Sequence, residues 1–116
     1  MTDDCTFDTL YAGAPPALAA ELRAFRAAHP PCAIQHEGLT WQYLTAGHGA
    51  QTILWLVGGL KAADAAFRSI PLLADSFRII APSYPPARTL AALADGLAAV
   101  LDAEGVAQAH ILSGSF

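Results

Sequence analysis

Three short apolar segments, separated by single helical patterns, constrain the fold of this chain more than any other feature. The apolar segments are residues 52–57, 77–81 and 109–112. One helical pattern runs from about residue 63 to 75, where Pro71 is expected to bend or restart the helix. A second runs from about residue 90 to 104, with Leu90 in its apolar stripe, Thr89 as its N-cap and Gly105 at its end. Strands that alternate with single helices imply right-handed crossovers and a parallel sheet. The sequence therefore predicts an α/β fold with a mostly parallel sheet and helices on both faces.

Two further elements are expected before the first of these strands. Apolar side chains at Leu18, Leu22 and Phe25 fall on one face of a helix, which begins at the prolines 15–16 and ends before the prolines 30–31.

Residues 32–46 alternate apolar and polar side chains on both sides of Gly38. Such alternation is typical of an antiparallel hairpin. The expected order is therefore helix, hairpin, and then β-α-β-α-β.

Composition favours a part of a larger α/β domain. Apolar residues make up 54% of the 116 residues and charged residues only 14%. Strands buried on both faces have this character. We expect residues 1–116 to form the N-terminal part of a single domain, with 1–30 as a lead-in and helix, 31–116 as the hairpin and β-α-β-α-β unit, and the C-terminal half absent.

Charge and residue usage argue against several other classes of protein. A net charge of −4 with six scattered basic residues gives no basic surface for nucleic acid. No apolar run is long enough for a membrane span, and the acidic N-terminus resembles no export signal. Two cysteines and four unclustered histidines predict neither a disulfide framework nor a metal site. We expect a cytoplasmic protein without a cofactor.

The last predicted strand runs into a serine-rich turn, Ser113-Gly114-Ser115-Phe116. The motif G-x-S-x-G holds a nucleophilic serine on a tight strand-to-helix turn, where small neighbours prevent crowding. Here Ser113 replaces the first glycine, and the sequence ends before the position of the second. The pattern makes Ser115 a candidate nucleophile, with Ser113 and Gly114 supporting the turn. An ordinary turn serine is the alternative.

A glycine pair, Gly58-Gly59, follows the strand at residues 52–57, and Leu60 comes next. Glycines without a β-carbon let the backbone approach a ligand closely. The pair is also consistent with a turn shaped only for packing. It matches neither the dinucleotide nor the P-loop spacing.

These features together resemble the N-terminal half of an α/β-hydrolase, over about residues 31–116. The resemblance rests on the hairpin, the glycine pair after the third strand, the two helices and the serine turn. Residues 78–84, Arg-Ile-Ile-Ala-Pro-Ser-Tyr, are similar to an "RVIAPD" segment common in such enzymes. In finer detail the chain is similar to small bacterial hydrolases related to maspardin, although Val57 stands where those have His or Pro.

The resemblance implies a role for each candidate site residue. Ser115 would attack the carbonyl of a small ester or related acyl substrate. The backbone N–H of Phe116, and that of Gly59 or Leu60, would bind the oxyanion, with Gly58 supporting the turn. The catalytic acid and histidine would follow the nucleophile, so we expect the 116-residue chain to be inactive alone and to require the C-terminal half.

Two alternatives belong to other functional classes. The first is a non-catalytic interaction protein with the same fold, as in maspardin-like relatives, since fold alone does not establish activity. The second is a nucleotide-binding α/β domain, which binding of NAD or ATP would support.

Overall fold

A computed structural model of the chain describes residues 12–56 and 63–113. In chain order the elements are helix α1 (Pro16–Ala28), strands β1 (Cys32–His36), β2 (Leu39–Ala46) and β3 (Thr52–Leu56), a 3₁₀ helix (Ala63–Ala66), helix α2 (Ile70–Ala74), strand β4 (Arg78–Ser83), helix α3 (Leu90–Ala103) and strand β5 (His110–Ser113). No helix among these is long and apolar enough to cross a membrane.

The five strands form one mixed sheet in the order β1-β2-β4-β3-β5. Strand β2 pairs antiparallel with β1 and with β4. Strand β3 pairs in parallel with β4 on one side and with β5 on the other. Both the predicted α/β class and the antiparallel hairpin are thus confirmed, and the hairpin lies at one side of the parallel part.

Helices cover both faces of this sheet, as the sequence predicts. On one face, α1, the 3₁₀ helix and α2 contribute Phe25, Ala63 and Ile70 to a buried cluster. On the other face, α3 contributes Val100. The sheet residues of the first cluster are Leu44, Ala46, Ile53, Ile79 and Ala81, and those of the second are Trp41, Tyr43, Leu54 and Ile80. Successive strand side chains point to opposite faces, so each strand can supply both clusters.

The turn of the hairpin has a backbone that its sequence explains. Glu37 and Gly38 have φ angles of 50° and 80°. A two-residue connection with positive φ at both positions matches the right-handed twist of the two strands. Glycine at position 38 supplies one of these conformations at little steric cost.

The connection from β3 to β4 differs from the single helix expected over residues 63–75. A 3₁₀ helix ends at Ala66, and α2 begins only at Ile70. Pro71 lies in the first turn of α2. Proline lacks the backbone N–H that a continuous helix would need there, but it is tolerated at a helix start. The proline therefore restarts the helix, as its position indicated.

Strand β4 is longer than expected, since the sequence suggested that it closes before Pro82. It continues through Pro82, which lies opposite Tyr43 of β2, and ends at Ser83. The register between β4 and β3 extends only from Arg78 to Ile80. Pro82 lies beyond that register, so its missing backbone N–H does not disrupt the pairing of residues 78–80 with β3.

Helix α3 begins and ends as its sequence indicates. The Thr89 side chain accepts a hydrogen bond from the backbone N–H of Ala92, and Gly105 follows the helix with a φ of 70°. Leu90 was expected in the apolar stripe, and this was wrong: 79% of Leu90 is exposed. It occupies the first helical position.

Candidate active site

The carboxyl ends of β3 and β5 lie side by side. In their parallel register, Leu56 of β3 is opposite Ser113 of β5. These are the last residues of the two strands. Ser113 was expected in the turn after the strand, but the structure places it inside the strand. Residues that follow adjacent parallel strands leave the sheet at the same edge, where α/β folds bind their ligands.

The other candidate site residues lie outside the described part of the chain: Gly58, Gly59, Leu60, Gly114, Ser115 and Phe116. Their assigned roles stay predictions. The described strands do fix where both segments start, because Val57 follows Leu56 and Gly114 follows Ser113 in the sequence.

Ser83 is a further polar residue at this edge, and the sequence analysis did not single it out. It ends β4, and its Oγ accepts a hydrogen bond from the backbone N–H of Ala63 at 2.8 Å. Ala63 is the first described residue after the Gly58-Gly59 pair. A serine near the end of a buried strand was the available signal, but its partner Ala63 is 20 positions away in the sequence.

Comparisons with solved structures agree with this topology. The chain is similar to wild-type Cfl2 from Burkholderia cenocepacia, with 28% identity and a TM-score of 0.63 over 72% of this chain and 32% of that chain. It is similar to an epoxide hydrolase from Vigna radiata, with 19% identity and a TM-score of 0.64 over 75% of this chain and 32% of that one. An alpha/beta hydrolase fold protein from Burkholderia ambifaria aligns with 20% identity and a TM-score of 0.62, over 71% of this chain and 33% of that one.

The chain has the α/β-hydrolase fold. It spans about a third of the length of these solved structures, so the described sheet corresponds to part of the fold. Neither a known protein-family model nor a curated protein matches the sequence. The expected similarity to maspardin-related hydrolases therefore stays a prediction, as do the division at residue 30 and the cytoplasmic location.

Within this α/β-hydrolase fold, a second polar cluster joins β2, β4 and the end of α3. Glu104 accepts hydrogen bonds from Tyr43 Oη and from Arg78 Nη2, both at 2.7 Å. Burial, and next the Glu104 carboxylate, raise the pKa of Tyr43 to about 12. Arg78 begins β4 and lies opposite Thr52, which begins β3. Arg78 lies at the amino end of the parallel strands, whereas Tyr43 lies opposite Pro82 near the carboxyl end of β4. The three side chains bond to one another, and we interpret the cluster as structural.

The histidines of the described hydrolase fold are dispersed. His29 Nδ1 lies 3.2 Å from the carbonyl oxygen of Thr45. The backbone N–H of His48 donates to the carbonyl oxygen of Ala74. His36 lies in β1, and His110 begins β5. In the part of the chain that the structure describes, no three metal-ligating side chains are grouped.

Proposed function

We propose that this chain supplies the nucleophile and the oxyanion-binding amides of a serine hydrolase that acts on small esters or related acyl compounds. The observation that carries the proposal is the register between Leu56 and Ser113. Gly58-Gly59 and Ser115 follow these two adjacent strand ends in the sequence, which supports a shared site. The fold supports a hydrolase, and the serine motif supports this chemistry.

In the proposed reaction, the Ser115 hydroxyl attacks the acyl carbon and passes its proton to a histidine base. The carbonyl oxygen becomes an oxyanion, which the backbone N–H of Phe116 and that of Gly59 or Leu60 would stabilise. Losing one such donor costs about 3 kcal/mol of transition-state stabilisation in other acyl-transfer enzymes. The alcohol then leaves with a proton, and water hydrolyses the acyl-serine.

We propose that the acid and the histidine come from the two-thirds of the fold that this chain does not span. The known order in such enzymes is serine, acid, histidine, and only Phe116 follows Ser115 in this sequence. A serine without a base is a weak nucleophile at neutral pH. The 116-residue chain alone should therefore show no serine-dependent turnover.

A serine-reactive phosphonate tests the proposal on a protein that contains this chain together with an acid and a histidine in the remaining part of the fold. We expect labelling at Ser115 that is abolished by Ser115→Ala and retained by Ser113→Ala. The second variant is the matched control, because it removes a hydroxyl two residues away. Absence of labelling at Ser115 in a folded protein would contradict the proposal, as would ester turnover by the isolated chain that depends on Ser115.

A non-catalytic interaction protein with the same fold is the second candidate, since fold alone does not establish activity. Stable binding of a protein partner, combined with no phosphonate labelling, would favour this function over hydrolysis.

A further inference from the structure

We draw no further inference here: the strongest candidate, the outer edge of strand β5 with the exposed side chains of Ile111 and Leu112, is an unpartnered apolar strand edge, and nothing in the described residues shows what covers it.

Discussion

The hydroxyl of Tyr43 lies 2.7 Å from Glu104 Oε2 and joins the second strand of the hairpin to the residue that follows α3. Arg78 donates to the other oxygen of the same carboxylate. Tyr43 is 4% exposed. One carboxylate thus connects β2, β4 and α3, and its bond to a buried phenol has consequences for stability that can be measured.

Removing this hydroxyl should destabilise the protein at neutral pH. In Tyr43→Phe the aromatic ring stays, but Glu104 loses one of its two side-chain donors. Hydrogen bonds to charged groups contribute about 1.5–3 kcal/mol. We expect a loss of about 2 kcal/mol in the free energy of unfolding, measured by urea denaturation. In the double variant Tyr43→Phe/Glu104→Ala, the loss should be smaller than the sum of the two single losses, because each single variant removes the Tyr43–Glu104 bond.

The stability should also fall at high pH. The pKa of Tyr43 is raised to about 12 from 10.0, chiefly by burial. Since the pKa of Tyr43 is higher in the folded than in the unfolded protein, the stabilisation that depends on its protonated hydroxyl is fully present below pH 10. It is lost as the pH rises towards 12. The wild type should therefore lose more stability than Tyr43→Phe between these pH values. Equal losses of stability in the two proteins between pH 10 and 12 would contradict a raised pKa of Tyr43.

Gly96, in the middle of α3, should resist replacement by alanine. A β-carbon at Gly96 would overlap the indole ring of Trp41, which is fully buried. Alanine favours a helix over glycine by about 1 kcal/mol, whereas overpacking costs about 1–3 kcal/mol. We expect Gly96→Ala to lower the free energy of unfolding. Ala98, exposed on the same helix, is the control, and Ala98→Gly should also destabilise the protein. A Gly96→Ala protein more stable than the wild type would contradict the close packing of Gly96 against Trp41.

The hydroxyl of Thr89 should stabilise the start of α3. It accepts a hydrogen bond from the backbone N–H of Ala92 at 3.0 Å. Thr89→Ala should cost about 1 kcal/mol, as for other helix caps. Thr89→Ser keeps the acceptor oxygen and should lose only a few tenths of the stability that Thr89→Ala loses. Thermal or urea unfolding of the three proteins checks this, and equal losses in both variants would exclude a capping role.

The outer strand should promote self-association of the 116-residue chain. Ile111 and Leu112 of β5 are 67% and 40% exposed, and within residues 12–56 and 63–113 the strand β5 pairs with β3 alone. An exposed apolar strand edge favours pairing between chains. Sedimentation velocity should show association that rises with concentration and falls in Ile111→Lys.

Leu72 provides the control for this prediction. It lies in helix α2 with 79% of its surface exposed. A helix offers no unpaired strand edge, so Leu72→Lys should leave the association nearly unchanged. An equal reduction in both variants would show that general hydrophobicity, and not strand pairing, drives the association.

Much of the fold could be predicted from local patterns. The alternation around Gly38 predicted the hairpin, and the apolar runs predicted β3 and β4. Pro71 lies in the first turn of a new helix, where its missing backbone N–H is tolerated. Leu90 was misassigned because the period of a helix indicates a face and not which positions along that face are buried. The serine motif gave a candidate nucleophile, and only Ser113 of that motif lies in the described residues.

The sequence by itself determined which segments become strands and helices, because periodicity, prolines and capping residues act over a few positions. Tertiary structure alone decided that Leu56 meets Ser113 and that Ala63 meets Ser83. It also decided the pairs Arg26–Asp64 and Tyr43–Glu104, which are 38 and 61 positions apart. A local pattern can bury a face, but the partner of each polar atom depends on how distant elements pack.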